Sequence, residues 1–431
     1  MGRTLIHGAV IVPVTEETYW EKGYLIIEGN RIAEVAQGEY TGSLEGFDKV
    51  VDAAGKLAMP GLVNTHGHAA MTLLRGYADD LPLQTWLEER CWPIEDKMTA
   101  EDIYWGTMLA ILEMLKGGTT TFTDMYFIMD EAAKAAEESG IRAVLSRGLI
   151  GFPPKGDISL EQAKEFVTKW NGAAGGRITT TFGPHAPYTN PTDYLKRVVE
   201  VSREYDQPIQ IHLSETAFEV KQSQEQHGMS PIKLMEELGV FSRPVLAAHC
   251  VHVSDEDIAI MKKYNVRVAH NPDSNLKLGS GIAPALKMVE AGLIVGLGTD
   301  GAASNNNLDM FEEMRMAAML HKGVNQDAIA ISGYKALEMA TKDGAQAVFL
   351  EEKHGTLQPG ALADVILLDI NQPHFHPRHN MIAHVVYSGG SRDVTDVFVD
   401  GKQVVENRKV LTMDEQRIYE EVARCCARLF A

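Results

Sequence analysis

The sequence predicts an α/β protein: a (β/α)8 TIM-like barrel with a small β-sandwich domain formed from both chain ends. Three observations carry that expectation. From residue 57 onward, short β-rich runs alternate eight times with longer segments of helical apolar spacing. No G-x-G-x-x-G follows the first run, which argues against an open dinucleotide-binding sheet. The two tails have a different texture, with short alternating strands joined by tight turns.

The eight runs are 57–64, 119–123, 142–146, 178–182, 208–211, 245–248, 266–269 and 294–298. Parallel strands need crossover helices, and eight β/α units close well into a barrel. The segments between them repeat apolar residues at helical intervals, as in Met108, Ile111, Leu112 and Leu115. In the tails, 4–12, 23–28, 31–36 and 49–52 read as strands, and so do 363–369, 383–388, 394–399 and 402–405. Asp400-Gly401 is a hairpin turn signal. Neither tail can bury a core alone, so the two are expected to pair beside the barrel. A final amphipathic helix is expected from Asp414 to Leu429. The resulting division is 1–56 for the first part of the β-domain, 57–358 for the barrel, and 359–431 for the rest of the β-domain with the last helix.

Composition narrows the partners. Among 431 residues there are 40 Lys plus Arg and 59 Asp plus Glu, a formal charge of −19 that would repel a phosphate backbone. No nucleic-acid partner is therefore expected. Hydrophobic residues at 45% and charged residues at 23% describe an ordinary globular chain rather than a disordered or fibrous one. Its four cysteines, Cys91, Cys250, Cys425 and Cys426, form no C-x-x-C pair, which points to a reduced, cytoplasmic setting. The N-terminal stretch is interrupted by His7, Gly8 and Pro13 and reads as a strand rather than a signal-peptide core. No apolar run is long enough to span a bilayer, so no membrane partner is expected. The 19 methionines read as core filling.

The 15 histidines are the unusual feature. Barrel chemistry gathers at the C-terminal ends of the strands, and the residues at those ends are mostly imidazoles and carboxylates. In chain order they are His66 and His68, Asp124, Arg147, His185, His212 with Glu215, His249, His270, and Asp300. His66 and His68, at i and i+2, face the same side of a strand. With His212 and Asp300 they supply three nitrogens and one oxygen, a donor set suited to zinc and also to ferrous iron. His374 and His376 form a second H-x-H between prolines, where a loop role is the better reading. His270 and Asp124 suit either the site or a supporting hydrogen bond. Ser304–Asn307 suits either a substrate contact or the turn into the following helix.

Taken together, PGLVNTHGHAAMTLLRGYADDLPLQTWLEERCWPIEDKMT, SRGL, FGPHAPY, IHLSET, AAHCVH, AHNPDSNLKLGSGIAP and GTDGAASNNNLDMFEEMR resemble the amidohydrolase superfamily. Within it they are similar to the 5-methylthioadenosine/S-adenosylhomocysteine deaminases, over nearly the whole chain. The resemblance implies a hydrolase that removes the amino group of a cyclic amidine, using one divalent metal per subunit, zinc or Fe2+. It implies metal ligands at His66, His68, His212 and Asp300. It assigns Glu215 to proton transfer at the ring and His249 to the attacking water, with Asp300 also in the catalytic set. It gives Glu95, in PIED, to the ribose hydroxyls and adds Arg147 and His185 as substrate contacts. Barrels of this class commonly form homo-oligomers. The loop GFPPKGD offers Lys155 where more than one Arg is expected near an amino-acid tail. Strand four, ITTTFGPHAP, lacks the Lys of binuclear relatives, so one metal is expected. Two rival readings remain: a sibling hydrolase of guanine, cytosine, 8-oxoguanine or an s-triazine, and a catalytically dead scaffold. Glu95 separates the first rival, because a bare base has no ribose diol to hold. The intact ligand set argues against the second, since unpaired buried polar groups cost stability.

Overall fold

The computed structural model describes residues 2–350 and 354–431. The first tail contributes β1 (Arg3–Ile11), β2 (Trp20–Glu28), β3 (Arg31–Gln37), β4 (Lys49–Asp52) and β5 (Lys56–Pro60). The barrel strands are β6 (Leu62–Asn64), β7 (Thr119–Tyr126), β8 (Arg142–Leu149), β9 (Ile178–Pro184), β10 (Ile209–Leu213), β11 (Val245–His249), β12 (Arg267–His270) and β13 (Val295–Leu297). The second tail adds β14 (Val365–Asp369), β15 (Val394–Val399), β16 (Lys402–Glu406) and β17 (Lys409–Val410).

Strands β6 to β13 pair in parallel, in chain order, as one eight-stranded sheet. β13 returns beside β6, where the Thr65 N–H donates to the Leu297 carbonyl at 2.9 Å. A Cβ on Gly298 would sit 2.7 Å from the His66 nitrogen, so only glycine lets the last strand end lie this close to the first. The apolar core fills the space between strands and surrounding helices, with Phe122, Phe182 and Phe311 fully buried.

The tails form one mixed nine-stranded sheet in which β14 pairs antiparallel to β5 and β1 pairs with β2, β4 and β5. This sheet encloses its own small core, which includes Ile6, Leu25, Ile27, Val365, Leu367 and Phe398. The final helix, Glu415–Leu429, is capped by Asp414 and returns to the barrel, where Lys116 Nζ donates to Glu415 at 2.8 Å.

Two expected elements need correction. Residues 57–64 do not form one barrel strand. β5 and β6 are separate, β5 pairs with β1 and β14, and the Gly61 N–H donates to the Asp364 carbonyl at the crossing between sheets. An apolar run buried at every position carries no periodicity to mark such a break. Residues 383–388 are not a strand but the end of a helix, Met381–Tyr387. Asn380 accepts the Ala383 N–H as its cap, and Met381, Ile382, Val385 and Val386 are buried at helical spacing.

Candidate active site

The strand-end residues meet at one mouth of the barrel. Ligand atoms of His66, His68 and Asp300 lie within 4.8 Å of one another, and so do those of His66, His212 and His249. The His68 Nε2 is 3.2 Å and the His66 Nε2 3.6 Å from Asp300 Oδ1. His249 and Asp300 both adopt left-handed backbone, φ 70° and 62°. Such strain in non-glycine residues persists only where surrounding contacts enforce it, and it gathers at functional sites.

Each ring is aimed by its other nitrogen. The His68 Nδ1–H donates to the Met125 carbonyl and the His212 Nδ1–H to the His185 carbonyl, both at 2.7 Å. His249 Nδ1 is 2.8 Å from Asn275 Oδ1. These bonds turn the Nε2 of each ring toward the centre. The Gln210 amide lies 3.1 Å from His66 Nδ1, and a flip of that amide presents its oxygen there. His66 Nε2 is then buried with no hydrogen-bond partner among the described residues. An orphaned buried nitrogen beside a carboxylate fits a metal ion, because a cation supplies the missing partner.

For His66 and His212 the electrostatics agree. For His68, by contrast, burial is outweighed by the hydrogen bond and charge of Asp300, which raise it to about 9. Burial, reinforced by neighbouring imidazoles, holds His66 and His212 well below the usual histidine range, so both are neutral and able to ligate. Burial would also raise Asp300, but the hydrogen bond and charge of His68 outweigh it and hold the carboxyl well below its ordinary value. Ser274 and Ser304 hydroxyls donate to Asp300 Oδ2 at 2.6 and 3.1 Å. Of the Ser304–Asn307 string, Ser304 and Asn305 thus bond to Asp300 and the Thr299 carbonyl. Asn307 Oδ1 accepts the Asp309 N–H at 2.9 Å in the turn into the following helix.

Glu215 and His185 face the same cavity. Burial raises the Glu215 carboxyl above its ordinary value. Its Oε2 lies 3.9 Å from His249 Nε2, and its Oε1 accepts from Ser280 Oγ at 3.4 Å. Burial lowers His185 to about 4, which keeps it neutral. Farther out, a strap of short helical turns over 83–95 covers the mouth and brings Glu95 into the cavity wall. The Tyr126 hydroxyl donates to Glu95 Oε1 at 2.5 Å.

Past Glu95 the cavity continues into a second one of about 630 Å³, and the two share Trp92, Tyr126, Phe127, Gly148 and Ile150. Arg147 and Lys155 line this outer part, not the metal-side part. Arg147 also donates to Gln162 Oε1 at 3.1 Å, with its guanidinium 5.6 Å from the Phe127 ring. The two ambiguous residues sit behind the cluster. His270 Nε2 is 3.0 Å from His321 Nε2, and Asp124 accepts the Ala69 N–H. His374 pairs with Asp393 at 3.0 Å, well within the terminal sheet region.

Sequence reasoning missed Tyr126, Gln210 and Asn275. Tyr126 and Gln210 each stand two residues from a singled-out strand residue, Asp124 and His212, and so on the same strand face. That spacing is the signal that identifies them. Asn275 lies in NPDSN, a segment quoted for its resemblance but assigned no role.

Comparison with known proteins gives a consistent placement. The amidohydrolase family matches residues 57–404. A 5-methylthioadenosine/S-adenosylhomocysteine deaminase from Syntrophomonas wolfei is 50% identical over 430 residues, 99% of each chain. One from Desulforudis audaxviator is 53% identical over 428 residues, again 99% of each. The crystal structure of an adenosine deaminase from Xanthomonas campestris with bound zinc superposes with a TM-score of 0.94 at 34% identity, covering 99% of this chain and 98% of that one. The chain belongs to the amidohydrolase family and, within it, to the 5-methylthioadenosine/S-adenosylhomocysteine deaminases.

Proposed function

We propose that this protein is a metal-dependent hydrolytic deaminase of adenine nucleosides. It converts 5-methylthioadenosine, S-adenosylhomocysteine or both to the inosine analogue and ammonia. The observation that carries the reading is the buried Glu215 carboxyl, lining the same cavity as His68, His212 and Asp300, with His66 within reach of each of those three. The three histidines and Asp300 would hold one divalent ion, zinc or Fe2+. When bound, such an ion lowers the pKa of a water to about 7 and so makes hydroxide available at neutral pH.

The remaining work belongs to the chain. Glu95, fixed by Tyr126, accepts hydrogen bonds from the ribose hydroxyls and sets the purine's depth. The outer cavity takes the 5′ substituent, with Arg147 and Lys155 on its wall. Neutral His185 offers a ring nitrogen to the substrate. Glu215 gives a proton to N1 of the purine, which makes C6 electrophilic. His249 and Asp300 orient the attacking water and take its proton. Hydroxide from that water adds at C6, and the proton taken from the water passes to the amino group. The C6–N bond breaks to release ammonia, and the C6 hydroxyl returns a proton to Glu215 as it becomes the carbonyl. A carboxyl raised by burial is suited to act as the general acid in this reaction. The four free cysteines suit a reduced cytoplasmic setting.

A Glu95 carboxylate poised by Tyr126 has no role with a bare base, which disfavours guanine or cytosine as substrate. The test is a panel of 5-methylthioadenosine, S-adenosylhomocysteine, adenosine, guanine and cytosine, followed by the absorbance change as adenine becomes hypoxanthine and by ammonia release. Turnover of the nucleosides alone is expected. Reaction of the free bases alone would overturn the substrate class.

A further inference from the structure

One buried carboxyl beside the site has no part in the chemistry above. Glu219 stands on the first turn of the helix Ala217–His227, is only 4% exposed, and makes no ion pair among the described residues. Its two oxygens are both used on the loop that carries Glu215. Oε1 accepts the Ser214 N–H at 2.8 Å and Oε2 accepts the Glu215 N–H at 2.9 Å. Ser214 has φ 52°, left-handed backbone that a non-glycine residue adopts at a cost. The opposite side of this loop is tied by the His252 N–H, which donates to the Ser214 carbonyl at 2.8 Å. The helix is already capped without Glu219's carboxyl, since Thr216 Oγ1 accepts the Glu219 N–H.

A buried carboxyl with no counter-charge costs stability that an apolar side chain would not. Burial pushes Glu219 up to about 8, against the pull of the two N–H bonds. Folding of the helix does not call for it, whereas the aim of Glu215 does. We infer that Glu219 is a positioning residue for the deamination, a two-pronged clamp on the Ser214 and Glu215 amides that fixes where the Glu215 carboxyl points. A displacement of about 1 Å in a reacting group can cost on the order of 10²-fold in rate. The inference rests on the proposed role of Glu215 as proton donor, and its test has to separate the two.

Glu219→Gln keeps the size of the side chain but turns one prong into an NH2 group facing an N–H. The expected result in the metal-loaded full chain is a fall in kcat for 5-methylthioadenosine of about 10- to 100-fold, with KM, metal content and melting temperature little changed. Glu219→Asp retains both acceptors on a shorter arm and is expected to fall between Gln and wild type. The decisive readout is the double variant. If Glu219 acts through Glu215, then Glu219→Gln costs almost nothing further in the Glu215→Gln background. Losses that multiply, or a Glu219→Gln enzyme with wild-type kcat, would overturn the inference. Absence of nucleoside turnover in the wild-type protein would instead overturn the proposed function. If the Gln variant fails to fold, the Asp variant carries the same comparison in the same background.

Discussion

The barrel has a buried polar cluster at each end, and the two are built on opposite principles. At the mouth, His66, His212, His249 and Asp300 are buried with ring nitrogens converging on a common centre. At the base, Arg142 at the start of β8 meets residues of the terminal sheet. Its guanidinium donates to both Asp364 oxygens, at 2.9 and 3.3 Å, and to Asp400 at 3.1 Å. His354 Nε2 lies 3.2 Å from the same Asp364, and the Asp400 N–H donates to it at 2.7 Å. The base sets Arg142 and His354 against Asp364 and Asp400 and joins two substructures, with His354 Nδ1 left without a hydrogen-bond partner among the described residues. The mouth gathers ring nitrogens around one carboxylate and leaves His66 Nε2 without a hydrogen-bond partner among the described residues. Opposite charges paired with one another belong to stability, and ring nitrogens gathered on one carboxylate suit a cation.

If that contrast is right, substitutions at the two ends should separate rate from stability. The largest effect is expected at the mouth. Glu215→Gln should keep its metal and its melting temperature while losing about 10²- to 10⁴-fold in turnover. Metal analysis beside steady-state kinetics checks this, and near-normal rates would remove Glu215 from the chemistry.

At the base, Arg142→Ala should cost about 3–5 kcal/mol of stability, because it takes the guanidinium from the buried Asp364 and the partly buried Asp400. Urea unfolding measures that loss, and kcat at moderate temperature should stay close to wild type. A variant that lost turnover while keeping its stability would erase the distinction between the ends.

The same joint predicts a pH effect. Burial alone would raise Asp364, but Arg142 and His354 overcome it and hold the carboxyl well below its ordinary range. A depressed carboxylate contributes stability above its unfolded pKa of about 4 and loses it as pH falls further. The stability gap between wild type and Arg142→Ala should therefore narrow as unfolding is repeated below about pH 4. A constant gap would mean that Asp364 does not carry the linkage.

The smallest effect is expected where a hydrogen bond only steadies a contact. Tyr126→Phe frees Glu95 from one bond, worth about 1–3 kcal/mol when a charged group is involved. It should raise KM for nucleosides roughly 5- to 100-fold with a smaller change in kcat. An unchanged KM would detach Tyr126 and Glu95 from ribose recognition.

What the sequence made legible, and what it did not, follows the same division. The convergence of His66, His68, His212 and Asp300 was readable because a barrel brings all its strand ends to one mouth, so position along each strand is enough. The partners that aim them were not. Whether Asn275 reaches His249, or Glu219 the amides of its own loop, depends on loop conformation that no periodicity encodes. The split of 57–64 into β5 and β6 stayed hidden because every residue of the run is buried, while the crossing at Gly61 is set by contacts with the distant Asp364. The short apolar run at 383–388 fits strand and helix equally until Asn380 caps it. The Arg142 joint was invisible for a similar reason, since its members are separated by more than 200 positions, as the 222 between Arg142 and Asp364 shows.

The most direct test of the central claim is to strip the protein of divalent metal and follow 5-methylthioadenosine deamination before and after zinc or Fe2+ is restored. The account predicts that turnover disappears with the metal and returns with about one ion per chain, while the Arg142 joint keeps the apo protein folded. Full turnover by metal-free protein would contradict it.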